Sequence, residues 1–88
     1  MSDVTTVYRT YADGRLLYTG PDLSVAISEW NRNTYRKRAV GGVAVGEYVE
    51  EGYGLLQVRD EWILHVRENG DVFLGSQLDE DEKERFRG

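Results

Sequence analysis

The amino-acid sequence predicts an α+β fold, in which an antiparallel sheet of about five or six strands packs against one amphipathic helix. The first observation is a pair of hairpin turns, Asp13-Gly14 near the start and Asn69-Gly70 near the end, each between strand-like segments. Both dipeptides favour the type I′ turn of a two-residue hairpin. The second observation is a single stretch with helical spacing of its apolar residues, which lies between the two hairpins.

The first hairpin is predicted to begin with a strand over residues 4–12. A two-residue turn then pairs Tyr11 with Leu16 and Arg9 with Tyr18. This register is sensitive to a one-residue bulge at residues 12–15, because a bulge moves the side chains beyond it to the other face.

The helix is predicted over residues 21–34. Four apolar side chains recur at positions i, i+3, i+4 and i+7 and form one stripe: Leu23, Ala26, Ile27 and Trp30. Pro21 suits a first helical turn, and the negative charge of Asp22 suits the positive end of the helix dipole.

The second half of the chain is predicted to be sheet, with strands over residues 43–49 and 53–59 and a last hairpin around Asn69-Gly70. Alternation in that hairpin predicts a core face, which should meet the helix stripe: Trp62, Leu64, Val66 and Phe73. The opposite face is half apolar: Ile63, His65, Arg67, Val72 and Leu74. Such a face needs a covering segment or a partner subunit.

The length of 88 residues predicts one compact α+β domain over residues 1–76, followed by a charged tail or short helix over residues 77–88. The start of the chain has no basic segment followed by an apolar run, and no apolar run has membrane-spanning length. We therefore expect a cytoplasmic protein that does not bind membranes.

Composition argues against catalysis. The chain has no cysteine and one histidine, His65, so disulfides, thiolate metal sites and cysteine nucleophiles are excluded. The acidic side chains fall mainly in predicted turns and in the tail, where carboxylates are usually only solvated. We predict a protein that is not an enzyme and has no cofactor and no metal.

The aromatic residues favour a protein-binding module. Six tyrosines are too many for one small core, and exposed tyrosines anchor protein interfaces, although tyrosine is also an ordinary strand residue. The residues predicted to contact a partner are Tyr11, Tyr18, Tyr35, Tyr48, Tyr53, Ile63, Val72 and Leu74. We expect a small acidic module that masks or inhibits a host or cognate protein, in the style of phage and mobile-element accessory proteins.

Two other functions stay open. In a homo-oligomeric structural or assembly protein, Ile63, Val72 and Leu74 would close a dimer. In a nucleic-acid-binding protein, the contact would be the basic cluster Arg32, Arg36, Lys37 and Arg38. The net charge of −5 disfavours a phosphate backbone as partner, and these cations also suit the negative end of the helix dipole.

The first third of the chain resembles the opening of a GIY-YIG nuclease domain, through Tyr8-Arg9 and the segment from Asp13 to Gly20. That family begins with a tyrosine-bearing hairpin and a Tyr-x-Gly, followed by a helix with a catalytic arginine. This helix has no arginine in its first turns, and the metal-binding glutamate of a later helix has no counterpart here. We therefore do not predict nuclease activity.

Overall fold

The computed structural model describes residues 3–35 and 38–86. Within them the elements are β1 (Val4–Ala12), β2 (Arg15–Gly20), α1 (Leu23–Thr34), β3 (Gly41–Glu51), β4 (Gly54–Val66), β5 (Val72–Leu74) and α2 (Glu80–Phe86). The five strands form one sheet in the order β2-β1-β3-β4-β5, and every neighbouring pair is antiparallel. The predicted α+β class is confirmed.

Helix α1 begins one residue after Asp22, two residues later than predicted. The Oδ1 atom of Asp22 accepts hydrogen bonds from the backbone N–H groups of Ser24 and Val25, which have no acceptor inside the helix. A hydrogen bond from the Ser24 hydroxyl, together with those from the backbone, holds the pKa of Asp22 below its usual value. Asp22 is therefore the cap of the helix, and Pro21 lies outside it.

The core lies between α1 and one face of the sheet. Ala26 and Trp30 are buried, and Leu23 and Ile27 pack against them, so the predicted stripe is confirmed. The sheet contributes its own fully buried side chains: Thr10, Val43, Val45, Ile63 and Leu64. Thr10 donates a hydrogen bond of 2.7 Å from Oγ1 to the carbonyl oxygen of Ala26, which fixes β1 against the helix.

The charged segment after residue 76 also reaches the core. Leu78, which precedes α2, is buried, and Phe86 near the end of α2 packs against the buried cluster. Asp79 accepts a hydrogen bond from the backbone N–H of Glu82, while a Glu82 carboxylate oxygen accepts one from the N–H of Asp79. This reciprocal pair caps the first turn of α2.

The register of the first hairpin differs from the prediction. Tyr11 pairs with Leu16 as expected, but Leu17 is an extra residue in β2 and shifts the pairing beyond it. Thr10 therefore lies opposite Tyr18, and the predicted pairing of Arg9 with Tyr18 is wrong. Because paired residues share a face, Tyr18 lies on the helix side of the sheet.

A second bulge, in β4, changes the predicted faces of the last hairpin. Val43 pairs with Leu64 and the next residue, Ala44, pairs with Trp62, so Ile63 is the extra residue. Ile63 and Leu64 are both buried in the core. The prediction that they lie on opposite faces is wrong, because a bulge breaks the alternation of side chains. Trp62 accordingly leaves the core face.

The faces of strand β5 are also reversed, because the predicted two-residue turn at Asn69-Gly70 is wrong: Val66, and not Arg67, pairs with Val72, and Asn69 does not have the positive φ of a type I′ turn. Phe73 pairs with His65, and its side chain is 55% exposed, whereas the sequence pattern placed it in the core. Leu74 pairs with Leu64 and packs against the core, whereas the pattern placed it on the opposite face. Val66 packs against the core as predicted.

Candidate functional site

One face of the sheet has neither helix packed on it. The helices pack on the side of Thr10 and Val43, so the alternate residues of β1 and β3, with their partners on β4 and β5, lie on the other side. We call this side the open face and define it by its main side chains: Arg9, Tyr11, Ala44, Tyr48, Trp62, His65 and Phe73. The open face spans four strands.

Aromatic rings form a row across the open face. The rings of Tyr11 and Trp62 meet edge to face, with centroids 6.2 Å apart and an interplanar angle of 73°. The indole of Trp62 stacks on the imidazole of His65 at 4.3 Å and 18°. Phe73 lies opposite His65 on the edge strand. These contacts hold flat apolar surfaces in fixed positions on the sheet.

A pocket of about 400 Å³, here the open-face pocket, lies within this surface. Its lining residues are Arg9, Tyr11, Ala44, Asp60, Glu61 and Trp62. Over residues 42–46 the central strand presents only small residues to this face, Gly42, Ala44 and Gly46, while the neighbouring strands present large side chains. The pocket is therefore a depression over Ala44, with walls from β1 and β4.

The cation at the pocket wall is held by a tyrosine. Arg9 donates a hydrogen bond from Nη2 to the hydroxyl of Tyr48, and its guanidinium carbon is 6.0 Å from the centre of that ring. Gly46 makes this contact possible, because a Cβ there would lie 3.0 Å from the Tyr48 hydroxyl oxygen. The guanidinium of Arg9 is therefore already engaged on its Tyr48 side.

The two carboxylates of the pocket have different surroundings. Glu61 accepts a hydrogen bond from Arg59, which also donates to Glu47 at 2.9 Å, and these two carboxylates raise the pKa of Arg59. The Asp60 carboxylate has no hydrogen bond or ion pair to any residue in the ranges 3–35 and 38–86. Its carboxylate is thus left to interact with solvent or a ligand.

The structure brings together only two of the five tyrosines predicted to contact a partner. Tyr11 and Tyr48 lie on the open face, whereas the Tyr18 hydroxyl accepts a 3.2 Å hydrogen bond from the backbone of Asp22 on the helix side. Tyr35 is exposed at the end of α1, and Tyr53 is fully exposed in the turn between β3 and β4. The tyrosines therefore do not form one surface.

The three apolar residues expected beside those tyrosines are also dispersed. Ile63 is 1% exposed and belongs to the core, so it cannot meet a partner in the folded chain. Leu74 is partly buried against the core, and Val72 is 43% exposed on the helix side of β5. Sequence reasoning placed Trp62 and Phe73 in the core, because no local pattern reveals the bulge in β4 or the register of β5. Asp60 was expected to be a solvated residue of a turn, and it lies within β4.

The predicted basic cluster is only partly described. Arg36 and Lys37 lie outside the described residues. Arg32 forms an ion pair of 3.6 Å with Glu29 on α1. Arg38 instead lines a separate cleft on the helix side of the sheet.

The described ranges contain no group of three or more His, Cys, Asp or Glu side chains that could hold a metal ion. Neither helix has the length and apolar character needed to cross a bilayer. Comparison with protein-family models, with curated proteins and with solved structures finds no match to this chain.

Proposed function

We propose that the protein is a small, non-enzymatic module that binds a partner protein through the open face. The observation that supports this is the row of Tyr11, Trp62, His65 and Phe73 on a sheet face on which neither helix packs. Tyrosine and tryptophan are the side chains that most often carry binding energy at interfaces. They bury large area at low entropic cost because few bonds become fixed.

The chemistry of the open-face pocket favours a basic partner. Asp60 supplies an unpaired carboxylate beside the rings of Tyr11 and Trp62, and a cationic side chain gains from both a carboxylate and a ring face. The whole chain carries a net charge of −5, which would attract a basic surface from a distance. The module would act in the cytoplasm by covering that surface, as small accessory proteins of phages and mobile elements do.

Capture from a lysate of the source organism tests this proposal when variants are compared. Phe73→Ser removes an exposed ring from the open face, and Val25→Ser removes an exposed apolar side chain from α1. We expect one stoichiometric partner on the unmodified protein and on Val25→Ser, and about tenfold less of it on Phe73→Ser, because interface aromatics carry much of the affinity.

Circular dichroism of each variant verifies that it is folded. Equal recovery of the same partner by Phe73→Ser and by a second variant, Asp60→Asn, would show that the contact lies elsewhere on the molecule.

A second candidate function, self-assembly, is favoured by the outer edge of β4. Strand β5 pairs only with residues 64–66 of β4, and the Ile63 carbonyl oxygen accepts from Gly75. Residues 54–62 of β4 therefore have no strand on their outer side within the described chain. Exposed apolar side chains lie along this segment: Leu55, Leu56 and Val58. A long apolar edge of this kind favours pairing with another strand, here the β4 of a second copy.

Light scattering after size exclusion tests self-assembly with a matched pair of variants. Val58→Lys places a charge on the β4 edge, and Val25→Lys places the same charge on α1. We expect the unmodified protein and Val25→Lys to have twice the monomer mass, and Val58→Lys to be monomeric, because an edge lysine opposes strand addition. A monomeric mass of the unmodified protein at millimolar concentration would eliminate this candidate.

A further inference from the structure

A larger cleft of about 820 Å³ lies on the helix side of the sheet, away from the open face. Its walls come from the end of α1, the segment before β3, the hairpin between β4 and β5, and α2. Three arginines from separate parts of the chain line it: Arg38, Arg67 and Arg85. We call it the arginine cleft. The predicted basic cluster contains only the first of the three, so the fold assembles a charge pattern that is absent from the linear sequence.

The side chains of these three arginines have no hydrogen bond or ion pair to a residue in the described ranges. Three other cations do pair with carboxylates: Arg32 with Glu29, Arg59 with Glu47 and Glu61, and Lys83 with Glu80. The chain has 16 acidic and 11 basic residues, so carboxylates are in excess. Three exposed guanidinium groups that line one cleft without a carboxylate partner leave a site of positive potential for an external anion.

We propose that the arginine cleft binds the phosphate group of a small phosphate ester with an aromatic body, of the size of a nucleoside monophosphate. Planar guanidinium groups bind phosphate oxygens through paired N–H donors, which a lysine cannot do. Trp30 and Phe86 supply apolar wall for a ring beside the arginines. The volume is within the range of about 300–1,000 Å³ that is typical of small-molecule sites.

A small ligand fits this site better than a nucleic acid. A nucleic-acid surface needs a long stretch of positive charge, because many phosphates must be neutralised together. This chain has a net charge of −5, and Arg38, Arg67 and Arg85 line one concave site rather than an extended surface. The inference goes beyond the proposed protein-binding function and does not depend on it, since the two sites share no lining residue among those that the structure describes.

Glu68 allows the effect of charge on ligand affinity to be tested in both directions. It lines the same cleft, and its carboxylate would repel a phosphate. Replacing Glu68 by Gln removes that repulsion and keeps the shape of the side chain. A ligand held by charge should therefore bind Glu68→Gln more tightly and Arg38→Gln less tightly.

The experiment is a titration of the whole protein with adenosine monophosphate, monitored through the two indole N–H signals in nitrogen-resolved NMR. Trp30 borders the arginine cleft and Trp62 lies on the open face, so the Trp62 signal is an internal reference for the Trp30 signal. We expect the Trp30 signal to move and the Trp62 signal to stay. Arg38→Gln and Arg85→Gln should each weaken binding about fivefold.

The matched control is Arg32→Gln, which removes the same charge from an arginine that pairs with Glu29 and does not line the cleft. Its affinity for adenosine monophosphate should differ from that of the unmodified protein by less than about twofold, because exposed charges outside the site are screened. A loss equal to that of Arg38→Gln would overturn the proposal in favour of diffuse charge attraction.

Three further probes complete the test. Adenosine without phosphate should bind about tenfold more weakly than the monophosphate, and inorganic phosphate should also bind more weakly because it lacks the ring. If phosphate matches the monophosphate, the cleft is only a general anion site and the aromatic part of the proposal is wrong. If a phosphotyrosine peptide binds and the monophosphate does not, the ligand is a protein and the small-molecule assignment is overturned.

Discussion

Ile63→Glu is expected to unfold the protein. The Ile63 side chain is 1% exposed and packs in the core among Val43, Leu64 and the buried residues of α1. The described residues of the core cluster around this position are hydrophobic, so a carboxylate there would be unpaired. An uncompensated buried charge costs about 3–5 kcal/mol in addition to the lost apolar packing. A domain of 88 residues has a free energy of unfolding of about 4–13 kcal/mol, at roughly 0.05–0.15 kcal/mol per residue.

The matched control is Val72→Glu. The sequence pattern assigns Ile63 and Val72 to the same half-apolar face, whereas in the structure Ile63 is buried and Val72 is 43% exposed on the edge strand. Circular dichroism and urea denaturation should show an unfolded Ile63→Glu and a folded Val72→Glu that loses less than about 1 kcal/mol. A folded, cooperative Ile63→Glu would contradict the bulge that places this residue in the core.

Gly42→Ala is expected to have the second largest effect. Gly42 has φ +155° at the start of β3, and a Cβ there would lie 1.9 Å from the carbonyl oxygen of Leu64. The clashing atom belongs to the paired backbone of β4, so it cannot move without breaking the β3–β4 ladder. We expect the free energy of unfolding to fall by about 3 kcal/mol, as is typical of overpacking combined with backbone strain.

Gly54→Ala provides the comparison for Gly42→Ala. A Cβ at Gly54 would meet no atom within 4 Å. The same chemical change should therefore alter the free energy of unfolding by less than about 0.5 kcal/mol. Urea denaturation of both variants measures the difference, and equal midpoints would show that β3 and β4 do not approach as closely as the structure indicates.

The parts of the fold that the sequence predicted are those determined by neighbouring residues. The turn at Asp13-Gly14 has positive φ at both positions, as the dipeptide suggested, and the stripe from Leu23 to Trp30 packs against the sheet. The role of Asp22 was predicted only in part: its charge was expected to suit the positive end of the helix dipole, whereas its side chain caps the N–H groups of the next residues. These features depend on few residues and little on the rest of the chain.

The bulges could not be predicted, because they depend on how two strands fit together. A one-residue bulge leaves the composition of a strand unchanged and reverses the faces on one side of it. The bulge at Ile63 is the reason that Trp62 lies on the open face. The candidate sites also depend on tertiary structure: Asp60 and Tyr11 line one pocket, and Arg38, Arg67 and Arg85 line one cleft, although they are far apart in the sequence.

Helix α1 packs on only part of the sheet, so the two ends of the β3–β4 hairpin differ in local stability. Helix α1 packs near the first half of β3, while residues 47–56 of the β3–β4 hairpin contain no buried side chain. Local opening costs least where few apolar contacts are lost, so the end of this hairpin can fray and re-form while the core around Val43 and Leu64 stays intact. Its backbone amides should therefore exchange hydrogen with solvent by local opening, which costs less free energy than global unfolding. A strand added beside β4 would protect these amides and slow their exchange.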